Sequence, residues 1–193
     1  MTLVGLVSRE SVAAEDLAMV ESGLAQYGTL LATWQAILNR PGLFSAYLPF
    51  LRAVASPGVV DIAIKELSAL LVGHLNHCRY TVSHRYASAR RNGIPDDIIR
   101  KVVQRDWEAL DADLRLALEL TVRLTQDPPV VSFAAEPHVV PADLSAEWTD
   151  KFSDEATVEL VMSISVWNAL ARFHRVMGFE LDMPAPPADV VPE

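Results

Sequence analysis

A single cysteine, Cys78, occurs in the 193 residues, so no disulfide can form within the chain, and such usage fits a reducing compartment like the cytosol. Positive charge is scarce as well: 16 lysines and arginines stand against 25 acids, a net charge of −9. That balance argues against a dedicated nucleic-acid binder, which must neutralise phosphates. The opening Met-Thr-Leu-Val-Gly-Leu-Val-Ser-Arg-Glu has no basic region and too short an apolar stretch to read as a signal peptide. The charge-free stretch 160–171 contains Ser163, Ser165 and Asn168 and is far too short to span a bilayer. The expectation is a soluble, cytoplasmic protein without nucleic-acid or membrane partners. There is no tandem repeat, and compositional bias is confined to the Pro-rich end.

What the chain does have is apolar residues, 51% of the total, with a mean hydropathy of +0.21. We read that excess as a subunit interface or an apolar pocket. The length suits one domain, placed at residues 1–181, followed by a tail, 182–193, whose Pro184, Pro186, Pro187 and Pro192 predict an extended or disordered segment.

The spacing of apolar residues is helical nearly throughout. Helices are predicted over about 10–27 and 30–38, then from Leu43 to a stop at Ser56-Pro57-Gly58, and from Val60 to about Gly73 or His74. Asn76 is the expected N-cap of a helix reaching Arg91, with Gly93 just past its end, and a short helix follows through Val103. Residues 107–125 alternate like a strand at Leu114, Leu116, Leu118, Leu120, Val122 and Leu124, yet their length and their Leu, Ala, Glu and Arg content favour a helix. A loop is expected over 127–140, a short helix over 142–150, and a long helix capped by Ser153 and stopped by Gly178.

The polar residues that draw attention cluster between Glu66 and Arg85. Three of the five histidines (His74, His77 and His84), the lone cysteine and a carboxylate set in an apolar run fall within those 20 residues. A buried carboxylate needs a partner, and a cysteine in the first turn of a helix has its thiolate favoured by the helix N-terminus. Each group also has a plainer role. On that plainer reading Glu66 pairs with Arg172 or a histidine to join two helices, and Cys78 is a small buried hydrophobe. His138 and His174 read as structural or surface residues, Asn168 and Arg172 as pins of the last helix, and Trp34 and Trp167 as core aromatics. His74 and His77, at i and i+3 with Glu66 and His84 nearby, sketch a weak metal pattern that we do not assign. Residues 79–105 hold seven of the 16 basic residues and two acids, a solvated face that could also draw in an anionic substrate.

The spacing from Glu66 to Cys78, with Tyr80, Ala89 and Gly93, resembles the signature of the AhpD-like and carboxymuconolactone decarboxylase superfamily: Glu, eleven residues, Cys, two residues, Cys, then His and Ala-x-x-x-Gly. The stretch from Pro41 to Val60, Lys65-Glu66-Leu67, and the distal Trp167-Asn168-Ala-Leu-Ala-Arg172-Phe-His174 extend the likeness over roughly residues 30–178. Two departures stand out. Thr81 occupies the second cysteine position, and Arg85 the usual histidine position, with His84 one residue early, about 100° around a helix. Some decarboxylase-like relatives carry a His-His pair there, whose first member His84 would match.

The resemblance implies an all-α AhpD-like domain, assembled as a homo-oligomer (a trimer or hexamer) with the site near a subunit boundary. It also implies a cofactor-free decarboxylase or lyase acting on a small organic acid or lactone. In that reading Glu66 and His84 shuttle protons and Cys78 completes the catalytic group, while His77, Tyr80, Thr81, Arg85 and Trp167 bind substrate, Arg85 as an anion anchor. No metal or cofactor is assigned. An alkylhydroperoxidase-like thiol enzyme is the family alternative, opposed by the missing second sulfur. A non-catalytic oligomeric or ligand-binding protein is the other, and Glu66 paired only to Arg172 beside a closed cavity would favour it.

Overall fold

A computed structural model of the protein describes residues 2–126 and 142–192. Among these there is no strand. The helices are α1 (Ala14–Tyr27), α2 (Ala32–Ile37), α3 (Leu43–Ala55), α4 (Ile62–Leu75), α5 (Arg79–Arg91), α6 (Asp96–Gln104), α7 (Ala112–Gln126), α8 (Ala142–Lys151) and α9 (Asp154–Met177). The expected 127–140 loop and His138 lie outside the described residues. None of these helices is long and apolar enough to cross a membrane.

Helix α4 is the central pillar. Nine consecutive residues, Lys65 to Gly73, are buried, because α5, α6, α7 and α9 pack around it. One core, with Leu67, Leu71, Val82, Ile99 and Leu118, lies between α4, α5, α6 and α7. A second, with Val72, Ala117, Leu160 and Ile164, lies between α4, α7, α8 and α9. A third joins α1, α2 and α3 through Val20, Trp34, Phe44 and Leu48. Helix α7 is helical despite its alternating leucines. It packs against α4, α8 and α9, so Leu114, Leu116, Leu118 and Leu120 are all buried on a broad surface rather than on the alternate sides of a strand.

The junction of α4 and α5 departs from the expected capping. Asn76 closes α4 as its C-cap instead of opening α5, because its side-chain amide is committed to Val72 O (2.9 Å) and to Asn168 Oδ1 on α9 (2.9 Å). Cys78 becomes the N-cap, its sulfur accepting the backbone N–H of Thr81 at 3.5 Å. Between them His77 adopts φ 50°, a left-handed conformation uncommon for a residue with a Cβ. Gly73 allows the close crossing: a Cβ there would lie 2.9 Å from Thr81 Cγ2 and 3.2 Å from the Val82 nitrogen.

Ser153 caps α9 as expected, accepting from the Ala156 N–H at 3.2 Å, and Gly178 ends it in the left-handed region at φ 67°. Asn168 pins α9 through Asn76 and Thr125, but Arg172 is exposed; Arg175 makes the second tie, to Asn76 O at 2.9 Å. The tail does not trail away. It is irregular yet docked, with Val190 only 1% exposed in the first core and Asp189 paired to Arg100 at 2.7 Å. Burial of Val190, a gain of about 1.5–3 kcal/mol for such a side chain, favours the docked tail.

Candidate functional site

Helix α5 carries the site on two adjoining faces. Arg85 and Ser88, with Asn92 just past the helix end, follow i, i+3, i+7 and meet the carboxylate of Glu66 on α4. Ser88 Oγ–H donates to Glu66 Oε1 at 2.8 Å, Asn92 Nδ2–H to the same oxygen at 3.4 Å, and Arg85 Nη1–H to Oε2 at 3.3 Å. The partner of Glu66 is thus Arg85 rather than Arg172. Arg85 also lies over the Trp167 ring, its Cζ 4.1 Å from the centroid, and its Nε is buried without a protein acceptor.

The neighbouring face holds Tyr80 and His84, one turn apart with ring centroids 4.4 Å from each other. Both reach Asp182, which follows α9 in the tail. His84 Nε2 lies 2.5 Å from Asp182 Oδ1, and the Tyr80 hydroxyl donates to Oδ2 at 2.7 Å, as does the backbone N–H of Ala32 at 2.8 Å. Burial by itself would raise the Asp182 pKa, but hydrogen bonding and the charge of His84, with the Ala32 and Tyr80 donors, bring it below its ordinary value. Burial pushes the Tyr80 phenol up, so it stays protonated. His84 Nδ1 has no protein partner and, unlike Arg85 Nε, is not sealed from water.

Behind this pair a polar chain runs back to Cys78. The Thr81 hydroxyl lies 3.1 Å from Cys78 Sγ and 2.9 Å from His174 Nδ1; His174 Nε2 lies 3.0 Å from Thr33 Oγ1, which lies 3.2 Å from the Tyr80 oxygen. Burial, with the nearby positive charge of His84, lowers the His174 pKa to about 3, so this imidazole is neutral at ordinary pH. His174 is therefore a buried hydrogen-bonding link, neither a surface residue nor a spare one.

Two spaces adjoin these groups. A cleft of about 470 Å³ is bordered by Glu66, Arg85, Ser88, Asn92 and Trp167, and by Arg52, Arg91 and Met183. A small cavity of about 40 Å³ is bordered by Tyr80, His84, His174, Arg85 and Trp167, with Tyr27, Trp34 and Tyr47 among its aromatic walls. Arg85 and Trp167 border both spaces, as do Tyr27 and Leu51. Cys78 and Thr81 border neither, and Cys78 is 2% exposed. His77 is exposed and faces a separate depression with His74 and Leu75. Its left-handed turn swings it out of the site that the sequence had gathered it into. No group of three or more histidine, cysteine or carboxylate residues is placed to hold a metal among the described residues.

Solved structures repeat this arrangement of helices. A peroxidase-related protein from Ralstonia eutropha JMP134, described as an alkylhydroperoxidase AhpD core, superposes with a TM-score of 0.76 at 14% identity, covering 99% of this chain and 95% of its own. The chain has the AhpD-like fold. A peroxidase-related protein from Silicibacter sp. TM1040 matches with a TM-score of 0.75 at 15% identity over 99% and 95% of the two chains. The debrominase Bmp8, as a cysteine-to-alanine variant in complex with 2,3,4-tribromopyrrole, matches at 0.76 and 16% identity over 98% and 94%. No protein-family model and no curated protein matches the sequence.

Within the AhpD-like frame, sequence reasoning missed Asp182, Thr33, Ser88 and Asn92, and assigned His174 no part in the site. Three are polar residues without a local signal, Thr33 and Ser88 buried on helices and Asn92 just past the end of α5. Asp182 had one: it sits between Leu181 and Met183, with Phe179 just before, an apolar set that marks a docking segment despite the prolines beyond.

Proposed function

We propose that the chain is a cofactor-free enzyme of decarboxylase or lyase type, acting on a small organic acid or lactone by proton transfer. One observation carries this reading: His84, whose Nδ1 has no protein hydrogen-bond partner, borders a small aromatic-walled cavity together with Arg85 and Tyr80, whereas the lone thiol borders neither space. The 470 Å³ cleft is large enough for a small substrate, and the 40 Å³ cavity for its reacting end. Arg85, which borders both spaces, holds a carboxylate. When a carbon–carboxylate bond breaks to release CO2, its electron pair passes into a conjugated carbonyl. His84 then delivers the proton that the carbon takes up. Glu66, on the cleft side of Arg85, is the second proton-exchanging group and fixes the guanidinium. A debrominase of the same fold complexed with tribromopyrrole supports a small ring as the shape accommodated here. Pairing of Glu66 with Arg85 at an open cleft, not with Arg172 at a closed one, speaks against a purely structural protein. Self-association as a trimer or hexamer belongs to the same proposal and is read by light scattering.

The test is a screen of small unsaturated carboxylic acids and lactones, followed by CO2 release and ultraviolet absorbance. With a substrate in hand, His84→Gln and Glu66→Gln should each cut turnover at least about 100-fold, the scale of a general acid or base, while Cys78→Ser keeps most of it. Turnover that survives His84→Gln but vanishes in Cys78→Ser would replace this reading with a thiol mechanism.

A further inference from the structure

The carboxylate that meets His84 belongs to no helix of the core. Asp182 arrives on the tail, and the chain is fastened on both sides of it. Before it, Leu181 and Phe179 pack against Tyr80 and Ala171. After it, Met183 joins the core of α1, α2 and α3 and borders the cleft. Farther on, Val190 is buried in the first core, where its carbonyl lies 3.3 Å from His74 Nδ1, and Asp189 pairs with Arg100. Such anchoring at both ends is what a side chain needs to hold another group within a few tenths of an ångström.

The two oxygens of Asp182 do different things. Oδ1 takes His84 Nε2, and Oδ2 takes the Tyr80 hydroxyl and the Ala32 N–H. A carboxylate so placed favours a proton on the nitrogen facing it, and in the neutral ring the other nitrogen is then bare. We infer that Asp182, delivered by the docked tail, is the positioning residue of the site, holding the proton on His84 Nε2 so that Nδ1 is the nitrogen that takes up the exchanged proton and then delivers it. The inference rests on the proton-transfer reading given above. It makes the tail a working part of the site rather than an appendage.

The His84 tautomer is read without substrate, by nitrogen-15 and proton correlation spectra of the neutral imidazole. The full-length wild-type chain should show one neutral tautomer, protonated at Nε2. Asp182→Asn should introduce a population protonated at Nδ1 with an unchanged helical circular dichroism spectrum, and Tyr80→Phe should leave the tautomer as in wild type. A wild-type ring protonated at Nδ1, or an unaltered tautomer in Asp182→Asn, overturns the inference. If Asp182→Asn does not fold, the wild-type tautomer alone decides. Survival of turnover in His84→Gln would instead overturn the underlying reaction assignment, and would leave the tautomer result standing.

Discussion

The Arg85 guanidinium carbon lies over Trp167, 4.1 Å from the ring centroid, and both residues border the 470 Å³ cleft and the 40 Å³ cavity. The stack holds because Arg85 is tied at its other edge to Glu66, and both side chains are nearly sealed, 12% and 8% exposed. An ion pair of this kind costs more when half of it is removed than when both halves go.

Arg85→Met should therefore destabilise the protein by about 3 kcal/mol, since it leaves the Glu66 carboxylate buried without its cation. Glu66→Gln alone should cost less, and the double variant should recover part of the Arg85→Met loss. Urea unfolding of the four proteins gives the coupling; additive effects would show that the pair is not a unit.

Stability should fall on acidification in a way set by His174. Its pKa is lowered from 6.5 to about 3 in the folded protein, chiefly by burial. The unfolded chain takes up that proton first, so the contribution is complete above pH 6.5 and is lost as the pH falls through 3. His174→Gln keeps hydrogen-bonding capacity but does not titrate, and should flatten the fall in melting temperature across this window. An equally steep profile in the variant would assign the acid sensitivity elsewhere.

The protein should not act as a two-cysteine peroxidase. Thr81 stands at the resolving position, and a lone sulfenate has no second thiol to close on. Dithiol-driven hydroperoxide turnover should be negligible, and iodoacetamide should label Cys78 slowly in the folded chain and quickly in denaturant, because the residue is 2% exposed. Brisk turnover abolished by Cys78→Ser would contradict this.

Gly73→Ala should cost about 1–3 kcal/mol, the range for overpacking a tight contact. The added Cβ meets Thr81 and the Val82 backbone, so α5 must shift at its first turn. If thermal unfolding of the variant matches wild type, the α4–α5 crossing is looser than these distances indicate.

The helices were legible in the sequence because burial repeats every three to four residues and helix ends need particular residues. Ser153 and Gly178 bound α9 as read, and the alternating leucines of α7 resolve as a helix on propensity and length. Glu66 could likewise be read as buried and partnered, since a carboxylate amid Leu67, Leu70 and Leu71 has little alternative. Its partner was not readable: Arg172 and Arg85 are equally capable arginines, and only the crossing of α4 over α5 selects Arg85. Likewise, nothing local says that His77 turns outward, that Asn76 is committed to α9, or that a Pro-rich tail brings Asp182 back to His84. Periodicity and capping are local properties, written residue by residue along the chain. Which polar groups meet is set by contacts between segments up to 150 residues apart, as between Ala32 and Asp182, and those exist only once the apolar faces have packed.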